Sequence, residues 1–325
     1  MNTLFVRLAR FGAVLALAVV MLGAWVRLHD AGLGCPDWPG CYGRLVVPDQ
    51  STSLQDLGPQ GAVRALEAGK AWREMIHRYL AGGLVLVTVA LAAIAWRNRS
   101  DPTQPWRRPI ALVGLIAFQA LLGMWTVTLL LKPLIVVAHL FGGLATLALL
   151  ASLGRWRTTR VSAPTPGLRT LGLVAAAALV LQIFLGGWTS SNYAALACPD
   201  FPTCQTQWWP QLADYKDGFV LWRGLGQSYE GGVLDHPARV AIHFTHRLGA
   251  VAAFVLILLL GWRLARDAAV RADGVAVLGL VLLQVSLGVS IVVFGVPLAV
   301  AVAHNGIAAL LLLAVINANQ RIRQR

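Results

Sequence analysis

Eight stretches of this chain are predominantly apolar over eighteen or more residues, and no other feature restricts its fold as strongly: residues 11–28, 72–96, 109–131, 134–153, 168–190, 240–262, 275–294 and 298–316. Each is long enough to cross about 30 Å of hydrocarbon. Lipid offers the backbone no hydrogen-bonding partner, so a crossing segment must satisfy its own N–H and C=O groups as a helix. With 57% hydrophobic and 13% charged residues in 325, too few polar side chains remain to cover a soluble globule. The sequence predicts an all-α integral membrane protein with eight transmembrane helices.

The second half repeats the first. Gly23-Ala24-Trp25 through Cys35 and Cys41 falls on Gly186-Gly187-Trp188 through Cys198 and Cys204 at a constant shift of 163 (198 minus 35). His77-Arg78 falls on His246-Arg247 at a shift of 169, and Gln119, Gly123 and His139 fall on Gln284, Gly288 and His304 at 165. Such self-similarity indicates a duplicated unit that packs against its copy. The expected architecture is two homologous four-helix bundles in a pseudo-two-fold repeat, residues 1–160 and 161–325.

Charge sets the orientation. Sixteen of the 27 basic residues, among them Arg155, Arg157, Arg160 and Arg325, fall at the termini and in the loops on the same side. Only Asp101, Asp267 and Asp273 oppose them there, so this side carries the whole net charge of +13, and the other eleven basic and eleven acidic residues balance. That side is expected to be cytoplasmic, with both termini on it. The basic character thus reflects topology, not a nucleic-acid surface. Arg7 and Arg10 before an apolar run resemble a signal peptide, but the end of that run aligns with the fifth stretch, so the first is expected to stay as a helix. No Arg- and Ser-rich amphipathic segment precedes it, which points to a bacterial plasma membrane.

All four cysteines lie in the two long outer loops, with five residues between the members of each pair. On the oxidising side of a membrane the pairs read as short-loop disulfides, Cys35–Cys41 and Cys198–Cys204. Redox-active thiols are a second reading. A zinc site would want shorter spacing and histidine partners at fixed offsets.

Four histidines sit at matching depths: His77 and His139 in the first half, His246 and His304 in the second. At about 1.5 Å per residue each lies within roughly 10 Å of the outer boundary. Each pair can face across its bundle and give two axial nitrogens to one haem iron, while a lone membrane histidine is as readily a hydrogen-bonded structural residue. Arg78 and Arg247 follow two of them directly and suit haem propionates, or simply snorkel to the interface. His29 and His236 read as surface histidines at a helix end and in a loop. Three residues before His77 stands Glu74, where the second half has His243. That spacing puts each on the ligand's helix face, and an acid beside only one site suggests that the halves have diverged.

With Glu74-x-x-His77-Arg78, His246-Arg247, His139, His304 and outer-loop cysteines around Pro-Asp, the chain resembles the haem A synthase family over nearly its whole length. That family oxidises the ring D methyl of haem O to the formyl group of haem A, which terminal oxidases use. The resemblance implies that His246 and His304 hold a resident haem b, that His77 and His139 receive the haem O substrate, and that Glu74 is the acidic residue at the substrate site. It further implies electrons leaving through the resident haem to an acceptor the sequence does not name, with haem O synthase or an oxidase assembly factor as candidate partners. Two other readings remain. One is a bis-histidine dihaem protein carrying electrons from a quinol; the other is a haem transporter or maturation factor, to which Trp208-Trp209-Pro210 bears a faint likeness.

Overall fold

The computed structural model describes residues 3–49, 51–52, 64–154 and 167–323, and these form helices joined by turns. Eight helices are long and apolar enough to cross a membrane: α1 (Thr3–Leu28), α2 (Ala68–Arg97), α3 (Arg107–Thr128), α4 (Pro133–Leu153), α5 (Leu168–Ser191), α7 (His236–Ala265), α8 (Arg271–Val293) and α9 (Leu298–Arg323). A single turn, α6 (Tyr215–Gly218), lies in the loop before α7. Arg155, Arg157, Arg160 and Arg325 lie outside the described residues.

The chain forms two compact units, Met1–Arg155 with Trp222–Val233, and Trp156–Leu221 with Leu234–Arg325. In the first, α1 packs on α2 and α4, and α3 closes the ring by packing on both. Small residues let α1 approach closely: Ala9, Ala13 and Ala16 are buried, and a Cβ on Gly12 would meet Val87 and Leu150 within about 3 Å. Arg10 Nε donates to Gly154 O (3.0 Å), tying α1 to the end of α4.

In the second unit α5 packs on α7 and α9, and α8 packs on both. Here Asn319 Nδ2 donates to Gly172 O (3.0 Å). Asp273 accepts from Asn317 Nδ2 (3.0 Å) and pairs with Arg321, so the start of α8 and the end of α9 are linked through polar groups.

The first unit includes a segment that arrives from much later in the chain. Residues 222–233 form a strap over the α3–α4 turn. Tyr229 is buried among Leu33, Val127 and Leu131, and its amide donates to Leu130 O (3.0 Å). Lys132, 1% exposed, gives its ammonium to the carbonyls of Arg223 and Gly224 and lies over the Trp222 ring, 3.5 Å from the centroid. Arg64 pairs with Glu230 through two bonds of 2.8 Å.

Several boundaries differ from the apolar stretches. Helices α2 and α7 start four residues before residues 72 and 240, because their polar first turns lie outside an apolar count. His236 is therefore the first residue of α7, not a loop residue, and Pro237 at the helix start fits this turn. Helix α3 stops at Thr128, not residue 131: Leu130 and Leu131 adopt φ of 52° and 61°, and Leu131 N returns to Thr126 O (2.8 Å).

Candidate functional site

Both cysteine pairs are disulfides, Cys35–Cys41 and Cys198–Cys204, and no free cysteine is present among the described residues. The Pro-Asp that follows the first cysteine of each pair has a local purpose. After the second cysteine the chain turns through two residues of positive φ, Tyr42 and Gly43 in one loop and Gln205 and Thr206 in the other. Both amides of each turn donate to the aspartate: Tyr42 and Gly43 to Asp37 (2.7 Å each), Gln205 and Thr206 to Asp200 (2.8 and 3.0 Å). Burial of Asp200 opposes its ionisation, but bonds from Thr203 and these amides outweigh it and hold the carboxyl below its ordinary range.

Each loop is anchored to the helix that carries a histidine. Arg78 Nη1 donates to the carbonyls of Asp37 (3.0 Å), Pro39 (3.2 Å) and Gly40, and Nη2 pairs with Glu74. Glu74, 5% exposed, also accepts the Cys35 amide (2.8 Å). In the second unit Arg247 Nη1 donates to Asp200 O (2.8 Å) and Thr203 O (2.7 Å), and Nη2 to Cys198 O (2.7 Å). His243 Nδ1 takes the Cys198 amide at 3.1 Å. The two arginines that the sequence offered to propionates thus hold loop carbonyls, while Arg247 keeps a buried Nε without a partner.

One turn further along the same two helices stand His77 and His246. Each of the four histidines lies edge-on to a glycine of the neighbouring helix. A Cβ on Gly23 would come 3.0 Å from His77 Cε1, on Gly123 3.3 Å from His139 Cε1, on Gly186 3.2 Å from His246 Cε1, and on Gly288 3.2 Å from His304 Cε1. The rings need these notches. All four rings are half-buried by surface area. His77 and His139 are close enough to interact electrostatically, as are His246 and His304. The Nδ1 atoms of His77, His139 and His304 are buried with no well-formed hydrogen bond.

Sequence reading passed over three glutamines. Gln119, Gln182 and Gln284 each stand four residues before a notch glycine, so side chain and glycine share a helix face. Gln119 Nε2 donates to His139 O (2.6 Å), and Gln182 Nε2 to His246 O (3.0 Å) with His246 Nδ1 also at 3.0 Å. Gln284 Nε2 lies 3.1 Å from His304 Nε2. The Gln-x-x-x-Gly pattern on three of the apolar stretches is the available signal. A neutral carboxamide on a lipid-crossing helix carries no charge to mark it. Among the described residues no group of three His, Cys, Asp or Glu gathers as a metal cluster.

The chain is similar to known proteins over nearly its whole length. Residues 7–316 match the family model described as cytochrome oxidase assembly protein. A heme A synthase of Shewanella oneidensis is 46% identical over 316 residues, covering 96% of this chain and 94% of that protein. Those of Rhizorhabdus wittichii and Halalkalibacterium halodurans are 30% and 29% identical, covering 94% and 90% of this chain and 90% and 88% of those proteins. A match that runs from the first helix into the last, across both disulfide loops and all four notched histidines, places the chain in the cytochrome oxidase assembly protein family.

Proposed function

We propose that this membrane protein is a haem A synthase, an oxidoreductase that converts the ring D methyl of haem O to the formyl group of haem A. The observation that carries the reading is a pair of notched histidines in each unit, seated by named glycines with Nδ1 turned away from bulk water. Such a pair fits a haem: two imidazoles of one bundle can each offer Nε2 to one iron. We assign His246 and His304 to a resident haem b, and His77 and His139 to the haem O substrate. The resident haem, when bound, supplies one-electron redox chemistry.

The residues around these sites do the rest. Taking a methyl carbon to an aldehyde adds an oxygen atom and removes electrons and protons, and Glu74, one turn from His77, is the acidic side chain we assign to accept a proton there. Arg78 and the Cys35 amide hold its carboxyl in place. Arg247 has its buried Nε left to meet a propionate. The sixteen basic residues put the termini in the cytoplasm of a bacterial cell, with the disulfide loops outside the plasma membrane. A haem O synthase and an electron acceptor complete the pathway as partners.

Co-expression with a haem O synthase, followed by chromatography of extracted haems, tests the reading. Haem A should appear only when both proteins are present. Membranes whose haem type stays unchanged would instead support the electron-carrier or transporter reading.

A further inference from the structure

Three of the four histidines have a carboxamide at their side, and the fourth does not. On α3, α5 and α8 the residue four before the notch glycine is Gln119, Gln182 or Gln284, whereas on α1 the same place, four before Gly23, is Val19. On the histidine's own helix a glycine niche accompanies two of the three glutamines, while Ile307 stands three past His304. Gln119 Oε1 nests against Gly142, three residues past His139, and Gln182 Oε1 against Gly249, three past His246; a Cβ there would fall 2.0 and 2.5 Å from the oxygen. Three past His77 stands Leu80. Val19 and Leu80 therefore fill the places that Gln182 and Gly249 hold beside His246.

The glutamines look unfinished. Oε1 of all three is buried and unpartnered, and so is Nδ1 of His139 and His304. A buried amide oxygen without a donor is costly, and a histidine that gives Nε2 to a metal carries its proton on Nδ1 and needs an acceptor for it. Gln119 and Gln182 give Nε2 to the backbone carbonyl of the histidine itself, and so fix from the neighbouring helix the turn that carries the ring. Gln284 now faces the iron-side nitrogen of His304 and has Nδ1 as the other polar atom of that ring. The backbone carbonyl four before the notch glycine lies beside His77, His139 and His304 alike, and Nδ1 of all three makes no well-formed bond, so what sets His77 apart is the absent carboxamide.

Building on the assignment of these histidines as haem ligands, we propose that Gln119, Gln182 and Gln284 are positioning residues that lock His139, His246 and His304. Val19 leaves His77 as the exchangeable ligand of the first-half site. A fixed pair suits a haem that only passes electrons; a releasable ligand opens one face of a haem that must be worked on and then leave.

Carbon monoxide binding to the reduced, purified protein tests this, with electron paramagnetic resonance of the ferric form as a second readout. In the parent protein loaded with haem O, the gas should bind the first-half haem and leave the resident haem unreacted. Val19→Gln with Leu80→Gly should weaken binding at the first-half site about tenfold, the usual size of an outer-shell effect. Gln182→Val should make the resident haem reactive and shift its low-spin signal. The gain of tightness in the first variant is something that mere loosening of structure cannot produce. Unchanged gas affinity in the folded, loaded double variant would overturn the proposal, as would an inert resident haem in Gln182→Val. Should the double variant not fold, the Gln182→Val arm decides alone. Failure of the underlying ligand assignment would show differently, as His77→Ala and His246→Ala proteins with parental haem spectra.

Discussion

The two disulfide loops have nearly the same backbone and are held in chemically different ways. In the first, one carboxylate does two tasks: Glu74 accepts the Cys35 amide and neutralises Arg78. In the second, a neutral imidazole accepts the Cys198 amide, and Arg247 spends its second nitrogen on the Cys198 carbonyl instead. An arginine on loop carbonyls with a neutral acceptor for the cysteine amide is enough to dock such a loop. The negative charge of Glu74 is therefore not required for docking, and a buried acid whose charge docking does not require is a candidate for chemistry.

The sharpest way to break this comparison is at Glu74. Glu74→Gln keeps an acceptor for the Cys35 amide and removes the charge. We expect folded protein with normal resident haem, accumulated haem O or its alcohol, and haem A reduced on the order of 100-fold, as for loss of an acid–base group. His243→Gln should leave haem A yield close to parental. Equal yields from the two variants, measured by chromatography of extracted haems, would make both side chains mere anchors.

Stability should follow the opposite order of subtlety. Glu74→Ala strands a mostly covered guanidinium and should cost about 3 kcal/mol, the lower end for a broken buried pair because the loop carbonyls still hold Arg78. His243→Ala strands only an amide and should cost about 1–2 kcal/mol. Thermal unfolding in detergent measures both.

The disulfides come next. Each closes a loop with a sequence separation of six, so either should contribute only about 2 kcal/mol. Intact protein should resist alkylation at all four cysteines until reduced, and labelling of one pair alone would mark that loop as the redox-active one.

The smallest effect concerns the strap. Hydrogen bonding to Arg64 holds Glu230 below its ordinary value of 4.5, so the pair contributes in full above that pH and is lost as pH falls through the depressed folded value. The pair is partly exposed and worth under about 1 kcal/mol. Hydrogen exchange of residues 222–233 should quicken only in that acid range, and Glu230→Gln should remove the dependence.

Much of this was readable without coordinates. The eight helices follow from apolar length, which lipid enforces regardless of tertiary context. The paired cysteines follow from their equal spacing in the two halves. What escaped was set by contacts distant in sequence. Arg78 could be given a propionate or water, but not the Asp37, Pro39 and Gly40 carbonyls some forty residues earlier. Glutamine on an apolar helix gives no periodic signal, so Gln182 and its glycine niche needed the neighbouring helix to acquire meaning. Nor does composition reveal that Tyr229 belongs with Leu33 and Leu131.

That last contact bears on how the protein is made. A ribosome delivers α1 to α4 long before it reaches residue 222, and until then Lys132 has neither the carbonyls nor the ring that cover its ammonium. The amino-terminal bundle must wait, with its α3–α4 turn uncapped, while the 69 further residues from Leu153 to Trp222 (222 minus 153) are made. A gene cut at residue 160 would therefore encode a fragment that lacks its own last piece, whereas a cut after residue 233 would not.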